Sequence, residues 1–191
     1  LMGWVDWLKE HPEKTEELIP EMEADLLRLE QIGRRFSKMG SKPEMEEFDL
    51  SERVERVVNY LMRRMPSLGK KVQLINDIQP GISIKANGSL LAWSIENIVR
   101  NGIDAIDRED GKVTVSLREE KDEIKIRIQD NGKGIPKKDW RNIFRPGFST
   151  KRAGWGLGLS LSTRIVEEIH SGQLYVIESS PENGTIIEIS L

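Results

Sequence analysis

Asn97 and Asn101 stand four residues apart, with Asp104 three residues further on, and form a polar line through the stretch Leu90–Ile106. Asparagine is a mediocre helix former, so two on one line of a helix ask for a reason. A side-chain amide oxygen is a neutral, hard ligand suited to Mg²⁺, which takes oxygen donors and keeps several of its waters. The segment Asp130-Asn131-Gly132-Lys133-Gly134-Ile135 offers a second chemistry. Its aspartate can accept a hydrogen bond from an exocyclic amine, and its glycines let the backbone approach a flat ligand closely. A third stretch, Phe144-Arg145-Pro146-Gly147-Phe148-Ser149-Thr150-Lys151-Arg152, ends in two adjacent cations. The fourth, Gly154-Trp155-Gly156-Leu157-Gly158-Leu159-Ser160, alternates glycines and opens into a helix. That exposes backbone N–H groups at a positive helix end, which suits phosphates, and Lys151 and Arg152 lie just upstream. Each segment alone has an ordinary alternative: a solvated polar stripe, an Asp-Asn-Gly turn, a glycine-rich loop. The alternating glycines also lack the strand–turn–helix order of a dinucleotide-binding fold.

The chain has room for these segments in one well-buried domain and a smaller element, at 191 residues. Charged residues make up 32% and apolar ones 37%, the profile of a globular protein with a wet surface. A net charge of −3 gives no reason to expect nucleic acid or an anionic membrane as partner. Zero cysteines removes disulfides, thiolate metal sites and cysteine nucleophiles, and is compatible with a reducing cytoplasm. No apolar run approaches the length of a membrane span.

Two helices are expected before the site. Leu1, Met2, Trp4, Val5, Trp7 and Leu8 read as the end of one helix, broken by Pro12. A second runs from about Thr15 to Met39, with Leu18, Met22, Leu26, Leu29, Ile32, Phe36 and Met39 at coiled-coil spacing. Two antiparallel helices cannot bury such a seam, so residues 1–40 are expected to pair with a second copy as a four-helix bundle, or to pack on the rest of the chain. Residues 41–48 read as a linker and 49–191 as the main domain.

Asp49 and Glu52 stand at capping-box spacing ahead of a helix that turns Val54, Val57, Val58, Leu61 and Met65 inward and ends near Pro66. Strands are expected at Val72–Ile78 and Ile82–Lys85, then a helix from about Ser89 to Ile106 whose Leu91, Ile95, Ile98, Gly102 and Ile106 face a sheet. Lys112–Arg118 and Glu123–Gln129 alternate as adjacent strands. After the glycine-rich stretch come a helix from about Leu157 to His170 and a hairpin of Gln173–Glu178 and Thr185–Leu191. The mixture, without regular β-α-β alternation, predicts an α+β two-layer sandwich with a mostly antiparallel sheet and helices on one face.

All four segments in this order resemble the N, G1, F and G2 boxes of the GHKL superfamily, most closely the catalytic ATP-binding domain of two-component sensor histidine kinases. The resemblance runs from about Phe48 to Leu191, and Asn183-Gly184-Thr185 is similar to the family's terminal Gly-Thr motif. It implies ATP and Mg²⁺ as ligands, with Asn101 on the metal and Asn97 beside it at the phosphates. It places Asp130 at the adenine amino group, with Gly132 and Gly134 in the same loop. Lys151, Gly154, Gly156, Leu157 and Gly158 would hold phosphate, and Thr185 would support the adenine pocket. Residues from about Lys137 to Trp155 would form a mobile lid. Gly102 stands where the family usually has Ala, and Asp104 where many members have Lys.

The gyrase-type and MutL-type ATPases of the same superfamily carry a Glu four residues before the metal-binding Asn, as general base for water. Here that position is Asn97, which takes no proton at neutral pH, and Glu96 points about 100° away on the helix. This favours phosphoryl transfer to a protein histidine, then to a response-regulator Asp, over a gyrase-like or MutL-like hydrolase. Neither His11 nor His170 fits the acceptor motif. His170 reads as a helix C-cap. The resemblance places the acceptor upstream of residue 1, so this chain is expected to bind ATP without phosphorylating itself. It also implies a homodimer through the hairpin, a response-regulator receiver domain as partner, a cytoplasmic location, and membrane attachment only through segments outside this chain.

Overall fold

The computed structural model describes residues 43–64, 72–150 and 156–191. The chain divides into two compact units, Leu1–Pro43 and Glu44–Leu191. The helical hairpin expected over residues 1–40 lies outside the described residues, as do Met65, Lys151, Gly154 and Trp155.

The second unit begins earlier than its first helix. Residues expected as linker contribute strand β1, Glu46–Asp49, which pairs antiparallel with β3, Ser83–Ala86, in a two-stranded sheet. The strand has no apolar alternation to announce it; its pairing is supplied by β3. Helix α1, Leu50–Arg64, starts where the Asp49 carboxylate accepts the Glu52 N–H at 2.9 Å. Only this half of the expected capping box forms, because the Glu52 side chain turns to Arg56 one helical turn on. Val54, Val58 and Leu61 are buried as expected, and Val57 is half-buried.

Strand β2, Val72–Ile78, is followed by β3 and then by α2, Gly88–Ala105. Asn87 caps α2 through its side chain, which accepts the Leu90 N–H at 3.0 Å. The predicted inward stripe is realised, with Leu91, Ile95, Ile98 and Ile106 all at most 7% exposed. Strands β4, Gly111–Glu120, and β5, Glu123–Asp130, meet at a two-residue turn, Lys121-Asp122, with both residues at positive φ. Helix α3, Gly158–Thr163, continues as a π-helical segment, Arg164–Ile169, where the sequence reads simply as helix. Strands β6, Gln173–Ser180, and β7, Gly184–Ser190, close the unit.

The main sheet has five strands in the order β2-β4-β5-β7-β6. Only the β2–β4 pair is parallel. Val113, Val115, Leu117, Ile126, Ile128, Leu174, Ile187 and Ile189 are buried on one face, where the helices lie. The fold is thus the predicted α+β sandwich with a mostly antiparallel sheet.

His170 ends the π-helical segment, as its C-cap role requires, and does more. Its Nδ1 bonds the Ile165 carbonyl at 2.7 Å and its Nε2 accepts the Asn87 N–H at 3.0 Å, tying the end of one helix to the cap of another. This arrangement uses a neutral ring. Burial holds the imidazole below its ordinary range, against a smaller upward pull from Ile165. The unfolded chain therefore takes up the proton first, so stability is full above the ordinary histidine pKa and falls as pH drops through it. We expect the unfolding free energy to decline between roughly pH 7 and pH 5. His170→Gln, which keeps a donor and an acceptor, should flatten that slope in urea titrations at a series of pH values.

Candidate nucleotide-binding site

The four chemical segments are arranged along helix α2, from Asn97 to its C-terminal end. Helix α2 carries Asn97 and Asn101 on the side turned from the sheet stripe, and α3 lies against that side. The Asn97 amide donates to Ser162 Oγ at 3.0 Å, and Ser162 is fully buried. The Asn97 amide oxygen lies so near Gly158 that a Cβ there would sit 2.5 Å from it. Glycine at 158 is therefore what lets the first turn of α3 close on Asn97. Ser160 and Thr163 bond back to the carbonyls of Leu157 and Leu159, so of these three hydroxyls Ser162 alone reaches across to α2. Asn101 is partly exposed one turn further along, and Asp104 is exposed.

The loop after β5 is locked to the other end of α2. A Cβ on Gly132 would lie 2.5 Å from the Ala105 carbonyl oxygen, and the Lys133 N–H donates to that same carbonyl at 3.0 Å. The loop thus closes the C-terminus of the helix, whose last carbonyls need outside donors. Asn131 anchors it to β4, accepting the Lys112 N–H at 2.7 Å and donating to the Asp110 carbonyl at 2.9 Å.

The third and fourth segments clip together. The Gly147 N–H donates to the Gly156 carbonyl at 3.1 Å, and Gly156, at φ 62°, stands where a Cβ would meet the Gly147 carbonyl carbon at 2.5 Å. Leu157 follows directly, and its carbonyl accepts the Leu161 N–H at 3.0 Å.

Asp130 ends β5 with its side chain 6% exposed. Gly102 of α2 faces it, and a Cβ there would lie 3.3 Å from Asp130 Cβ. Gly132 donates to the carboxyl at 2.9 Å and the Thr185 backbone contributes a second bond. Burial pushes the carboxyl up to about 6, against the opposing pull of the Gly132 and Thr185 bonds. Among the described residues no cation is paired with it, so its charge is costly until a ligand supplies a donor. Thr185, 3% exposed, stands directly opposite Asp130 on β7.

A neutral amide pair on a helix, a glycine-tightened second helix start and a buried carboxyl beside a close-packed loop are now in one place. Residues 87–191 match the family model described as histidine kinase-, DNA gyrase B- and HSP90-like ATPase. The chain belongs to that family. Within it the chain is an ATP-binding domain of the sensor histidine kinase kind. It is 30% identical to sporulation kinase D of Bacillus subtilis over 174 residues, 89% of this chain and 33% of that protein. It is 28% identical to the nitrogen regulation protein NtrY of Azorhizobium caulinodans over 172 residues, 84% of this chain and 22% of that one. The chain therefore spans a third or less of these relatives. The catalytic domain of histidine kinase ThkA, solved nucleotide-free, shares the fold at TM-score 0.68 and 24% identity, covering 78% of this chain and 95% of its own. ThkA solved in complex with response regulator protein TrrA superposes at 0.75 and 22% identity, over 99% of this chain and 55% of that one.

Of the residues that the sequence singles out in this kinase-type domain, Asn97, Gly156, Leu157 and Gly158 gather about α3, with Asn101 one turn from Asn97 on α2. Asp130, Gly132, Gly134 and Thr185 gather at the sheet end. Lys151 and Gly154 are outside the described residues. Sequence inspection misses Ser162 and Asn131. Three hydroxyls within four residues of α3 were the available signal for Ser162.

The ionisation of Asp130 yields a stability test. Its folded pKa, about 6, lies above the ordinary aspartate value, so the unfolded chain releases the proton first. Stability therefore declines as pH rises between those values and stays lower above them. Asp130→Asn removes the penalty, and we expect it to stabilise the ligand-free protein at neutral pH by up to about 3 kcal/mol. Thermal unfolding of both proteins at pH 4 and pH 7.5 checks this, with the gain expected only at the higher pH.

Proposed function

We propose that this domain holds Mg-ATP for transfer of its γ-phosphoryl group to a histidine side chain, as the catalytic part of a two-component sensor kinase. The observation that carries this choice over hydrolysis is the state of position 97. An acid there would serve as general base for water, but Asn97 is an amide and its NH₂ is held by the buried Ser162. The neighbouring acid, Glu96, is engaged by Arg100 at 2.9 Å on the same helix. The site is equipped to bind and orient rather than to activate water, and transfer of this kind is largely positioning and charge stabilisation.

In this assignment Asp130 accepts the exocyclic amine of adenine, with Thr185 supporting the pocket. Gly156, Leu157 and Gly158 offer backbone to the phosphates at the start of α3, with Lys151 and Gly154 from the adjoining segment. The donor set fits Mg²⁺ held mainly by substrate. Among the described residues no group of three or more His, Asp and Glu is gathered, and Asn101 supplies a single neutral oxygen, as suits a cation that keeps its waters and takes phosphate ligands. When bound, the metal would neutralise phosphate charge.

His170 is not the acceptor, because both its ring nitrogens are engaged within the fold. The phosphate is passed to a histidine elsewhere in the kinase and from there to an aspartate of a response-regulator receiver domain, the partner class named for ThkA. Residues 1–40 serve as the dimerising hairpin, connected to the unit that begins at Glu44. No helix of the described residues is long and apolar enough to cross a membrane. We place the domain on the cytoplasmic side, with any membrane attachment in other segments.

Calorimetric titration with ADP and a non-hydrolysable ATP analogue, with and without Mg²⁺, tests the assignment. One site per chain and tighter binding of the ATP analogue with Mg²⁺ are expected. Asn101→Ala should abolish most of that Mg²⁺ enhancement while leaving the unfolding midpoint nearly unchanged. Retained enhancement would remove Asn101 from the metal. Steady release of inorganic phosphate from ATP without an acceptor would point to a hydrolase instead.

A further inference from the structure

The ladder between β6 and β7 slips by one residue. Val176 stands opposite Ile187 but Glu178 opposite Ile186, so Ile177 is the extra residue of a β-bulge. Beyond it Ser179 stands opposite Thr185, and Thr185 opposite Asp130 on β5. Three polar side chains thus form one row across three strands, at the end of the buried face. Without the bulge the register would carry Glu178, not Ser179, to Thr185. A second carboxyl in the row would repel charge on Asp130 and hold it protonated. The slip replaces that acid with a neutral hydroxyl.

Both bonding faces of the hydroxyl are in use. Ser179 Oγ accepts the Ile135 N–H at 2.7 Å and shares a hydrogen bond with Thr185 Oγ1 at 2.9 Å. With one lone pair taken by Ile135, its own proton is available to Thr185. Ile135 ends the loop that begins at Asp130, and the loop is pressed against the same strand. Gly134 sits at φ 71°, and a Cβ there would lie 2.4 Å from the Ser180 carbonyl oxygen. Ser179 therefore joins the far end of the loop to the residue opposite Asp130.

We propose that Ser179, delivered to this row by the bulge at Ile177, is a positioning residue for base recognition, holding the 130–135 loop and the Thr185 hydroxyl where Asp130 can accept an exocyclic amine. This rests on the adenine assignment above and adds a residue outside all four motifs. Its effect falls on the choice of base, not on the phosphates, which lie at the α3 end of the site.

The test is titration of the whole chain with ADP and with inosine diphosphate, which carries a carbonyl where ADP carries the amine. Ser179→Ala and Ser179→Thr are compared with the parent, and unfolding midpoints are measured on the same samples. Ser179→Ala should weaken ADP binding roughly three- to tenfold, the value of one hydrogen bond. Inosine diphosphate binding should hardly change, so the preference narrows by the same factor, and Ser179→Thr should restore it. An equal loss for both nucleotides means that the hydroxyl only braces the fold, and overturns the proposal. So does a preference in Ser179→Ala unchanged within about twofold while the parent binds ADP. A parent chain that binds neither nucleotide overturns the adenine assignment itself, and this proposal with it.

Discussion

Desolvating a carboxyl group without a cation beside it is expensive, and the surroundings of Asp130 are arranged to tolerate that state. The strand end is enclosed by backbone rather than by side chains. Gly102 leaves Asp130 room against α2, where a Cβ would lie 3.3 Å from Asp130 Cβ. Gly184, at φ 77°, comes so near that a Cβ would lie 2.0 Å from the Asp130 carbonyl oxygen. Backbone contacts this close exclude water, yet they also aim N–H dipoles at the carboxyl from Gly132 and Thr185. Among the described residues the group has no neutralising partner, but it is not left without donors. A buried group held in that intermediate condition is poised for a ligand that brings its own donor.

The opposite face of the same sheet handles a buried carboxyl in the other way. Glu188 of β7 is only 2% exposed, but Arg127 and Tyr175 both bond it from the flanking strands. The hydrogen bond to Glu188 pushes Tyr175 up to about 12 and raises Arg127 as well, so the phenol keeps its proton and the guanidinium its charge over the ordinary pH range. Breaking such a pair leaves an uncompensated charge, which is why the cluster reads as a brace between β5, β6 and β7. One sheet therefore carries a buried acid paired with a cation on its outer face, and on its inner face one held by backbone N–H groups alone.

Much of this was legible in the residues alone, because period and punctuation are local. The alternation in Lys112–Arg118 and Glu123–Gln129 and the stripe from Leu91 to Ile106 gave the sheet and its covering helix within a residue or two. The glycines and asparagines of the site stood out because their types are costly in the elements that hold them. What escaped depended on partners distant in sequence. Strand β1 exists because β3 pairs with it, Glu46 opposite Ala86 and Asp49 opposite Ser83, far apart along the chain. The half-formed capping box lost Glu52 to Arg56, a competition that spacing does not decide. Ser162 is an ordinary helix residue until Asn97 is set against it. The bulge at Ile177 is invisible in Tyr175-Val176-Ile177-Glu178, since only the pairing with β7 shows which residue is the extra one.

Position 97 shows how much chemistry a single side-chain type controls when its surroundings stay the same. Asn and Asp or Glu could all occupy a helix face against α3, and the Gly158 contact demands only that the group be slim near its end. An acid at this point would have Ser162 as a donor and water as a target. The amide instead spends its NH₂ on Ser162 and presents an oxygen without basicity. With Glu96 held by Arg100, no described carboxylate on this turn of α2 is free to take a proton from water. In the proposed assignment a nucleotide seated here meets, among the described residues of this turn, groups that orient it and no free base for water. The proposed transfer then takes its nucleophile from outside the pocket.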